Sequence, residues 1–422
     1  MRSAEARGLG QTEERVVSFD AALNVVVQQA ARLGRRTQEQ VRLMESLGRV
    51  LAQAVMADRD QPPFHRSTRD GFALRAVDAV AGTWLPVTGK VKAGETWSQG
   101  ALKAGEAIEA MTGAPVPEGA DAVVMLEHVE RSSDAIKLAA GRGIEAGENI
   151  VARGSEAHAG DEVLAAGTEM DPAAIALAAA CGASKVEVFA QPAVSILATG
   201  DELVELEARP GPAQIRNSNS YGLAALVTQA GGVPVVLPPA ADRCEDLERL
   251  ILKAREADLM VLSGGVSMGE YDLVETVLLS MGAKFLFTGV KLQPGKPAVF
   301  GWLPARDGMA AVPFFGLPGN PVSTQVTFAC FVEPLLRAMR GAAIEGPRFV
   351  QATLSHDVDG KPGLTRLLPA RLASSRAKPE VKLVVWQGSG DMAANARSNC
   401  YAVLPPDVER FRAGEVISVL PK

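Results

Sequence analysis

DLMVLSGGVSMGEYD, residues 258–272, joins two unlike halves. Its first half, DLMVL, is a short apolar run without polar alternation, the pattern of a strand buried on both faces. Its second half breaks that run with paired glycines, then offers a serine, a third glycine and two acids. Gly264 and Gly265 permit positive φ and a close approach of the backbone to a neighbour or an anion. Three uses fit such a segment: an anion cradle, a metal site, or the tight turn that ends a strand.

The surrounding sequence repeats the pattern. Upstream, AVSILATG from Ala193 reads as another buried strand, Tyr221–Gly231 as a helix ending in Gly-Gly, and VPVVLP as a strand. DLERLILKAREA reads as a helix opened by Asp242 and Glu245 in the manner of a capping box. Downstream, LVETVLLSMG is a helix, AKFLF, PAVFGW and VPFFGLPG are strands, and VSTQVTFACFVEPLLRAM is a long helix interrupted at Pro334. Strands alternating with helices at this spacing predict a three-layer α/β domain with a mostly parallel sheet over residues 189–342.

Either side of it the grammar is different. From Ser18, an N-cap candidate, SFDAALNVVVQQAARL has helical spacing, and a second helix is expected over roughly 42–56. QPPFHRSTRDGFAL reads as a loop, and residues 75–150 as short strands broken by Gly and Pro. A helix with Pro172 in its first turn precedes the strand KVEVFA. After residue 345, FVQATLSHDV, TRLLPARL, EVKLVVW, CYAVLPP and EVISVL suggest a small barrel or sandwich. The expected organisation is therefore multidomain α/β plus β. It has a linker and helical region (18–58 and 150–188), a β-rich N-terminal lobe (59–149), the α/β domain (189–342) and a C-terminal β domain (343–422).

Composition excludes several classes. A net charge of −6 with no Lys/Arg-rich run argues against nucleic-acid binding driven by bulk charge. No stretch is apolar for long enough to span a bilayer, and the N-terminal residues lack a secretory signal's apolar core, so a cytoplasmic protein is expected. Cys181, Cys244, Cys330 and Cys400 stand singly, as do the histidines, which signals neither a zinc site nor a disulfide framework.

Chemistry is expected at the carboxyl ends of the parallel strands, where open α/β sheets bind ligands. Three loops leave predicted strand ends there: ATGDEL (198–203), LSGGVSMGEYD (262–272) and FGLPGNPVS (315–323). If the strands are parallel, all three open on one rim. Thr199 and Gly200 lead into Asp201 and Glu202, which cap a turn or hold a divalent cation; in an extended segment only one of the two acids faces a given ligand. Gly264, Gly265 and Ser267 can surround an anion, while Asp272 either caps the following helix or faces a cation. Pro318, Gly319, Asn320 and Pro321 form a rigid turn before a helix start that attracts anions, and Asn320 either caps it or binds a ligand. KLQPGKP resembles a P-loop but fails it, with five residues between Gly289 and Gly295 and a proline where Ser/Thr belongs; Lys291 and Lys296 remain as local positive charge. Acids for a cation beside amides and lysines for anions suit a nucleotide or phosphate ester handled with Mg²⁺.

Together, MTGAPVPEGADAVV (111–124), TGDEL, SGGVSMGEYD, QPGKP and GLPGNPVS, in this order and spacing, resemble the molybdopterin molybdenumtransferase family, of the MoeA and gephyrin E-domain type. The resemblance runs from about Ser18 to the C-terminus. It implies an elongated homodimer of four-part subunits with a cleft shared between them. It also implies insertion of molybdate, the substrate, into the dithiolene of adenylylated molybdopterin, with Mg²⁺ present and AMP released. The family's functional positions fall on Asp70, Thr112, Glu202, Asp242, Asp272, Pro318, Pro321 and Ser389, with Asp70 and Thr112 acting across the dimer. Further partners implied are the molybdopterin adenylyltransferase and molybdoenzyme chaperones. Neither nucleic acid nor membrane is expected. The chain departs from the family's pattern at Glu156 of Gly154-Ser155-Glu156, at Gln293 where a lysine or arginine is usual, near Pro369 where Arg366 and Arg371 flank a missing arginine, and in the basic Arg66 and Arg69 loop. A noncatalytic pterin-binding scaffold and an adenylyltransferase are the alternative activities. The retained acids speak against the first, and the extra β domains against the second.

Overall fold

The computed structural model describes residues 15–33, 37–265, 273–306, 308–374 and 378–422. The chain divides into two compact units: Gln40–Leu47 with Leu51–Glu187, and the described residues up to Glu39 with Gly48–Val50 and Val188–Lys422.

The larger unit is built on the predicted α/β sheet. In chain order its elements are β1 (Ala193–Ala198), α1 (Ser218–Gln229), β2 (Val233–Val236), α2 (Cys244–Ala254), β3 (Leu259–Ser263), α3 (Leu273–Ser280), β4 (Lys284–Phe287), β5 (Val299–Leu303), β6 (Val312–Leu317) and α4 (Pro321–Thr327). Across the sheet the order is β2-β1-β3-β6-β5-β4. β2, β1, β3 and β6 run parallel, and β5 is antiparallel to both its neighbours.

The unalternating run in β3 now has its physical reason. Leu259 and Val261 point into one core, with Leu223 and Val227 of α1, Val322 and Val326 of α4, and Phe19 and Val26 of the helix Phe19–Ala30. Met260 and Leu262 point into the opposite core, with Leu247 and Ile251 of α2 and Val274 and Val277 of α3. A strand between two helical layers buries both of its faces, so both must be apolar. Full burial of these four side chains is worth on the order of 6–12 kcal/mol as an upper bound. That far exceeds the roughly 1 kcal/mol span of strand propensity.

α4 continues through one π-helical turn, Phe328–Val332, into the helix Glu333–Met339. The wide turn comes immediately before Pro334, which has no N–H to give to a regular helical ladder. Beyond it, strands Val350–Leu354, Thr365–Ala373, Glu380–Leu383, Cys400–Leu404 and Val416–Pro421 close on themselves as a five-stranded barrel. Leu292–Gln293, from the loop after β4, adds in parallel to the first residues of Thr365–Ala373.

The smaller unit is β-rich. Its six-stranded sheet orders Ala122–Met125, Gly71–Leu74, Ala107–Ala110, Leu85–Val91, Ala135–Leu138 and Val129–Arg131. Helix Pro172–Ala180 has Asp171 as its N-cap and Pro172 in its first turn.

Two local expectations fail. No helix spans 42–56: the segment is the end of strand Gln38–Arg42, a single 3-10 turn Leu43–Glu45, irregular chain and strand Val55–Met56. Gly48, at φ +71°, breaks the helical path, and Met44 and Leu47 are 83% and 62% exposed where a helix would bury them with Leu51. GFAL, read as loop, is instead the second strand of the six-stranded sheet, buried along its length. Among the described residues no helix is long and apolar enough to cross a membrane.

Candidate active site

The chain leaves β1 to build β2 on one side, crosses back to β3 on the other, then goes to the far edge at β4 and returns through β5 to β6 beside β3. β1 and β3 therefore flank a topological switch point, where the loops at their carboxyl ends part and leave a crevice. A cavity of about 670 Å³ lies there. Thr199, Gly200 and Glu202 after β1, Ser263, Gly264 and Gly265 at the end of β3, and Pro318, Gly319, Asn320 and Pro321 after β6 all line it. The three loops that the sequence placed on one rim converge on this cavity in their described parts. Ser267 and Asp272 lie outside the described residues.

The two neighbouring acids divide their work. Asp201 is absent from the cavity wall; its Oδ1 accepts the amide of Asp242 at 3.1 Å and so fastens one loop to another. Glu202 lines the cavity, its carboxylate folded back over Gly200, where a Cβ would come within 2.3 Å of Glu202 Oε2. Asp242 lines it too and does not cap α2. The N-cap is Arg243, without a side-chain bond, because the Asp242 backbone is tied to Asp201. Asn320 stands at the N-cap of α4 but makes no side-chain cap bond, which leaves its amide available to the cavity.

The glycines are required by the floor. Gly264 and Gly265 have φ of +89° and +59°, and a Cβ on either would come within 2.6 Å of Thr199, at its carbonyl oxygen and its Oγ1 respectively. Thr199 itself is 4% exposed, and its Oγ1 has no hydrogen-bond partner among the described residues. A buried hydroxyl without a partner costs about 1–3 kcal/mol.

One wall was missed by the sequence reading. Arg216, Asn217, Ser218 and Asn219 line the cavity because short strands Leu203–Val204 and Ile215–Arg216 pair in parallel and return the chain to the rim. Asn217 Oδ1 accepts the Ser220 amide at 3.2 Å and caps α1 three residues before the expected start. An Asn three residues ahead of Ser220 and just before an apolar-periodic run was the signal that could have found it. Arg216, with Nε donating to the Leu206 carbonyl at 2.8 Å, brings a cation among the acids.

The remaining expected residues lie elsewhere. Lys291 and Lys296 are exposed and absent from the cavity wall, although Pro297 belongs to it. Gln293 is in register with Arg366 of the barrel, and Gln293 Oε1 and Arg366 Nε are both buried without partners among the described residues. An arginine thus stands beside the glutamine that replaces the usual cation. Ser389, half-buried, accepts the Val322 amide of α4 through its carbonyl at 3.0 Å, tying the barrel to the first turn of that helix. In the smaller unit, Asp70 Oδ1 accepts the Thr112 amide at 2.7 Å and its hydroxyl at 3.0 Å. The amide first, then the hydroxyl, holds the Asp70 carboxyl below its usual range. Among the described residues no cluster of three or more His, Cys, Asp or Glu is placed to hold a metal by itself.

Comparison with known proteins covers nearly the whole chain. Residues 17–182 match the MoeA N-terminal region (domains I and II), 195–338 a probable molybdopterin binding domain, and 351–422 the MoeA C-terminal region (domain IV). A molybdopterin molybdenumtransferase of Staphylococcus epidermidis is 34% identical over 386 residues, 90% of either chain, and one of Staphylococcus aureus is 32% identical over the same span. The crystal structure of a molybdopterin biosynthesis MoeA protein from Pyrococcus horikoshii superposes with a TM-score of 0.79 at 30% identity, covering 97% of this chain and 100% of that one. With three successive regions matched in order and relatives above 30% identity along nine-tenths of its length, this chain belongs to the molybdopterin molybdenumtransferase (MoeA) family.

Proposed function

We propose that this protein is a molybdenum insertase of molybdenum cofactor biosynthesis, a transferase that inserts molybdate into the dithiolene of adenylylated molybdopterin and releases AMP. The observation that carries the reading is the switch-point cavity, in which carboxylates, an arginine, glycine backbone and uncommitted polar side chains meet. Both substrates are oxyanions, and one of them carries a phosphoanhydride. Glycine backbone at positive φ lets amides approach such groups, and Arg216 supplies charge. Lys291 and Lys296, together with Arg366 beside Gln293, offer positive charge for molybdate at the junction with the barrel.

The donor set suits Mg²⁺. That ion keeps several waters and takes one or two carboxylates plus substrate phosphate, so it does not need a cluster of three protein ligands. Glu202 and Asp242 are the described carboxylates that would hold it, with Asp272 as the third acid the family resemblance supplies. Bound there, Mg²⁺ would neutralise charge developing on the phosphoanhydride. Asp201 serves this set indirectly, by fixing the Asp242 backbone. In this reading the protein is a cytoplasmic homodimer, and Asp70 and Thr112 of a second subunit complete the cleft.

Purified protein given adenylylated molybdopterin, molybdate and Mg²⁺ is expected to release AMP and to yield cofactor that reconstitutes an apo-molybdoenzyme. A protein that binds the pterin without releasing AMP would be a scaffold. One that consumes ATP with metal-free molybdopterin would be an adenylyltransferase.

A further inference from the structure

Two hydroxyls on the cavity floor are donors with no acceptor among the described residues. Thr199, the first residue past β1, is 4% exposed, and its Oγ1 is unpartnered. Ser263, the last residue of β3, is 2% exposed, and its Oγ accepts from Asn219 Nδ2 at 2.9 Å. A serine hydroxyl has one proton besides its acceptor lone pairs, and an amide nitrogen cannot accept it. The Ser263 proton is therefore unspent in this bond. Asn219 is fixed by a second donation, Nδ2 to the Gly319 carbonyl at 2.8 Å, which ties the loops after β3 and β6 together from the first turn of α1.

The two hydroxyl residues are neighbours. Thr199 N donates to the Ser263 carbonyl at 3.0 Å across the switch point, and both residues line the cavity. The glycine pair leaves no side chain against the Thr199 hydroxyl. A Cβ at Gly265 would sit 2.6 Å from Thr199 Oγ1, and one at Gly264 would sit 3.3 Å from it. Positive φ alone would call for glycine here. The close approach to the hydroxyl shows in addition that any side chain would fill the space in front of it.

We infer that Thr199 Oγ1 and Ser263 Oγ form a tetrahedral-oxyanion subsite of the cavity, and that Asn219 is a positioning residue that aims the Ser263 proton into it. This inference rests on the insertase reading, which brings two such oxyanions to the cavity: the adenylyl phosphate and molybdate. Neutral hydroxyls that donate without adding charge suit an oxyanion whose charge is already met by Arg216 and by a cation on Glu202 and Asp242.

Equilibrium titration calorimetry with AMP, adenosine and molybdate tests the subsite. Thr199→Val and Ser263→Ala are each expected to weaken one of the two oxyanions about tenfold and to leave adenosine unchanged. Loss for AMP assigns the subsite to the adenylyl phosphate, and loss for molybdate assigns it to molybdate. Thr199→Ser, which keeps the hydroxyl, is expected to retain wild-type affinity and guards against a folding defect in the valine variant. Asn219→Ala is expected to weaken the same oxyanion less than Ser263→Ala does, and to add nothing in a Ser263→Ala background. A merely structural Asn219 would instead lower AMP and adenosine affinity together. Unchanged affinity for both oxyanions in Thr199→Val and Ser263→Ala, or loss in parallel with adenosine, would overturn the inference. The insertase reading fails separately, if wild-type protein prefers AMP to adenosine yet releases no AMP from adenylylated molybdopterin.

Discussion

Asp70 in the smaller unit and Glu202 with Asp242 at the switch point are acids in the same family motif set, held in opposite ways. Asp70 spends one oxygen on both donors of Thr112, so its orientation is fixed before any ligand arrives. Glu202 and Asp242 make no hydrogen bond through their carboxylates to the described residues; what is tied down is backbone, the Asp242 amide by Asp201 and the Glu202 carbonyl by the Ile215 amide. A carboxylate with satisfied partners contributes local order. One that faces a cavity without them is a group whose partner is a ligand. The contrast separates an acid held in place before any ligand arrives from acids left open to one, and it can be tested from both sides.

The largest effect is expected at the uncommitted acids. Glu202→Gln and Asp242→Asn should each lower the rate of AMP release by about 10²-fold or more, the range for removal of a group that stabilises transition-state charge. Melting temperature should stay within about a degree or two, because neither carboxylate holds the fold. If calorimetry showed the reverse, a large loss of stability with little loss of rate, the two classes of acid would have been assigned the wrong way round.

Next comes the floor. Gly265→Ala puts an L residue at φ +59° with its Cβ 2.6 Å from Thr199 Oγ1. It should cost about 1–3 kcal/mol of stability by chemical denaturation, together with most of the activity. An alanine that was tolerated in stability but not in activity would show that the space in front of the threonine matters more than the backbone angle.

Asp201→Ala is a smaller step. It removes the acceptor of the Asp242 amide without touching the cavity wall, so about 1 kcal/mol of stability and up to roughly tenfold in rate are expected. Its effect on rate should largely vanish in an Asp242→Asn background, since the two would act through one residue.

The sequence carried the body of the sheet better than its edges. β3 was legible because burial on both faces leaves no choice of side chain, and the convergence of three loops followed once the strands were parallel. The division of labour between Asp201 and Glu202 was legible only as a rule that one of them faces the ligand. Which one depends on where α2 begins, and the capping-box pattern at Asp242 and Glu245 pointed to the wrong start. Arg216–Asn219 was passed over because two-residue strands carry no periodicity, although Asn217 was visible as a cap. The helix expected over 42–56 shows the opposite error. Helical spacing at Met44, Leu47 and Leu51 was coincidental, and Gly48 was the residue that should have weighed against it. Ser267 and Asp272 lie outside the described residues, and their roles rest on the family motif alone.

The smallest effect is expected at Asp70, where it isolates the other side of the contrast. Asn in place of Asp keeps an oxygen for both Thr112 donors, so Asp70→Asn should fold normally at neutral pH. What it removes is titration. The Thr112 amide and hydroxyl favour the ionised form, so the folded pKa lies below the ordinary carboxyl value. As pH falls, the unfolded chain takes up the proton first, and the folded state pays the difference. The stabilisation is therefore complete above about pH 4 and is lost as pH drops through the folded value. Wild type should be the more stable above about pH 4 and should show a steeper fall of melting temperature below it than Asp70→Asn, the two curves converging as pH drops. Other acids in the chain share this direction, among them Asp60, Asp246, Asp357 and Asp391, so only the difference between the two curves reports on Asp70.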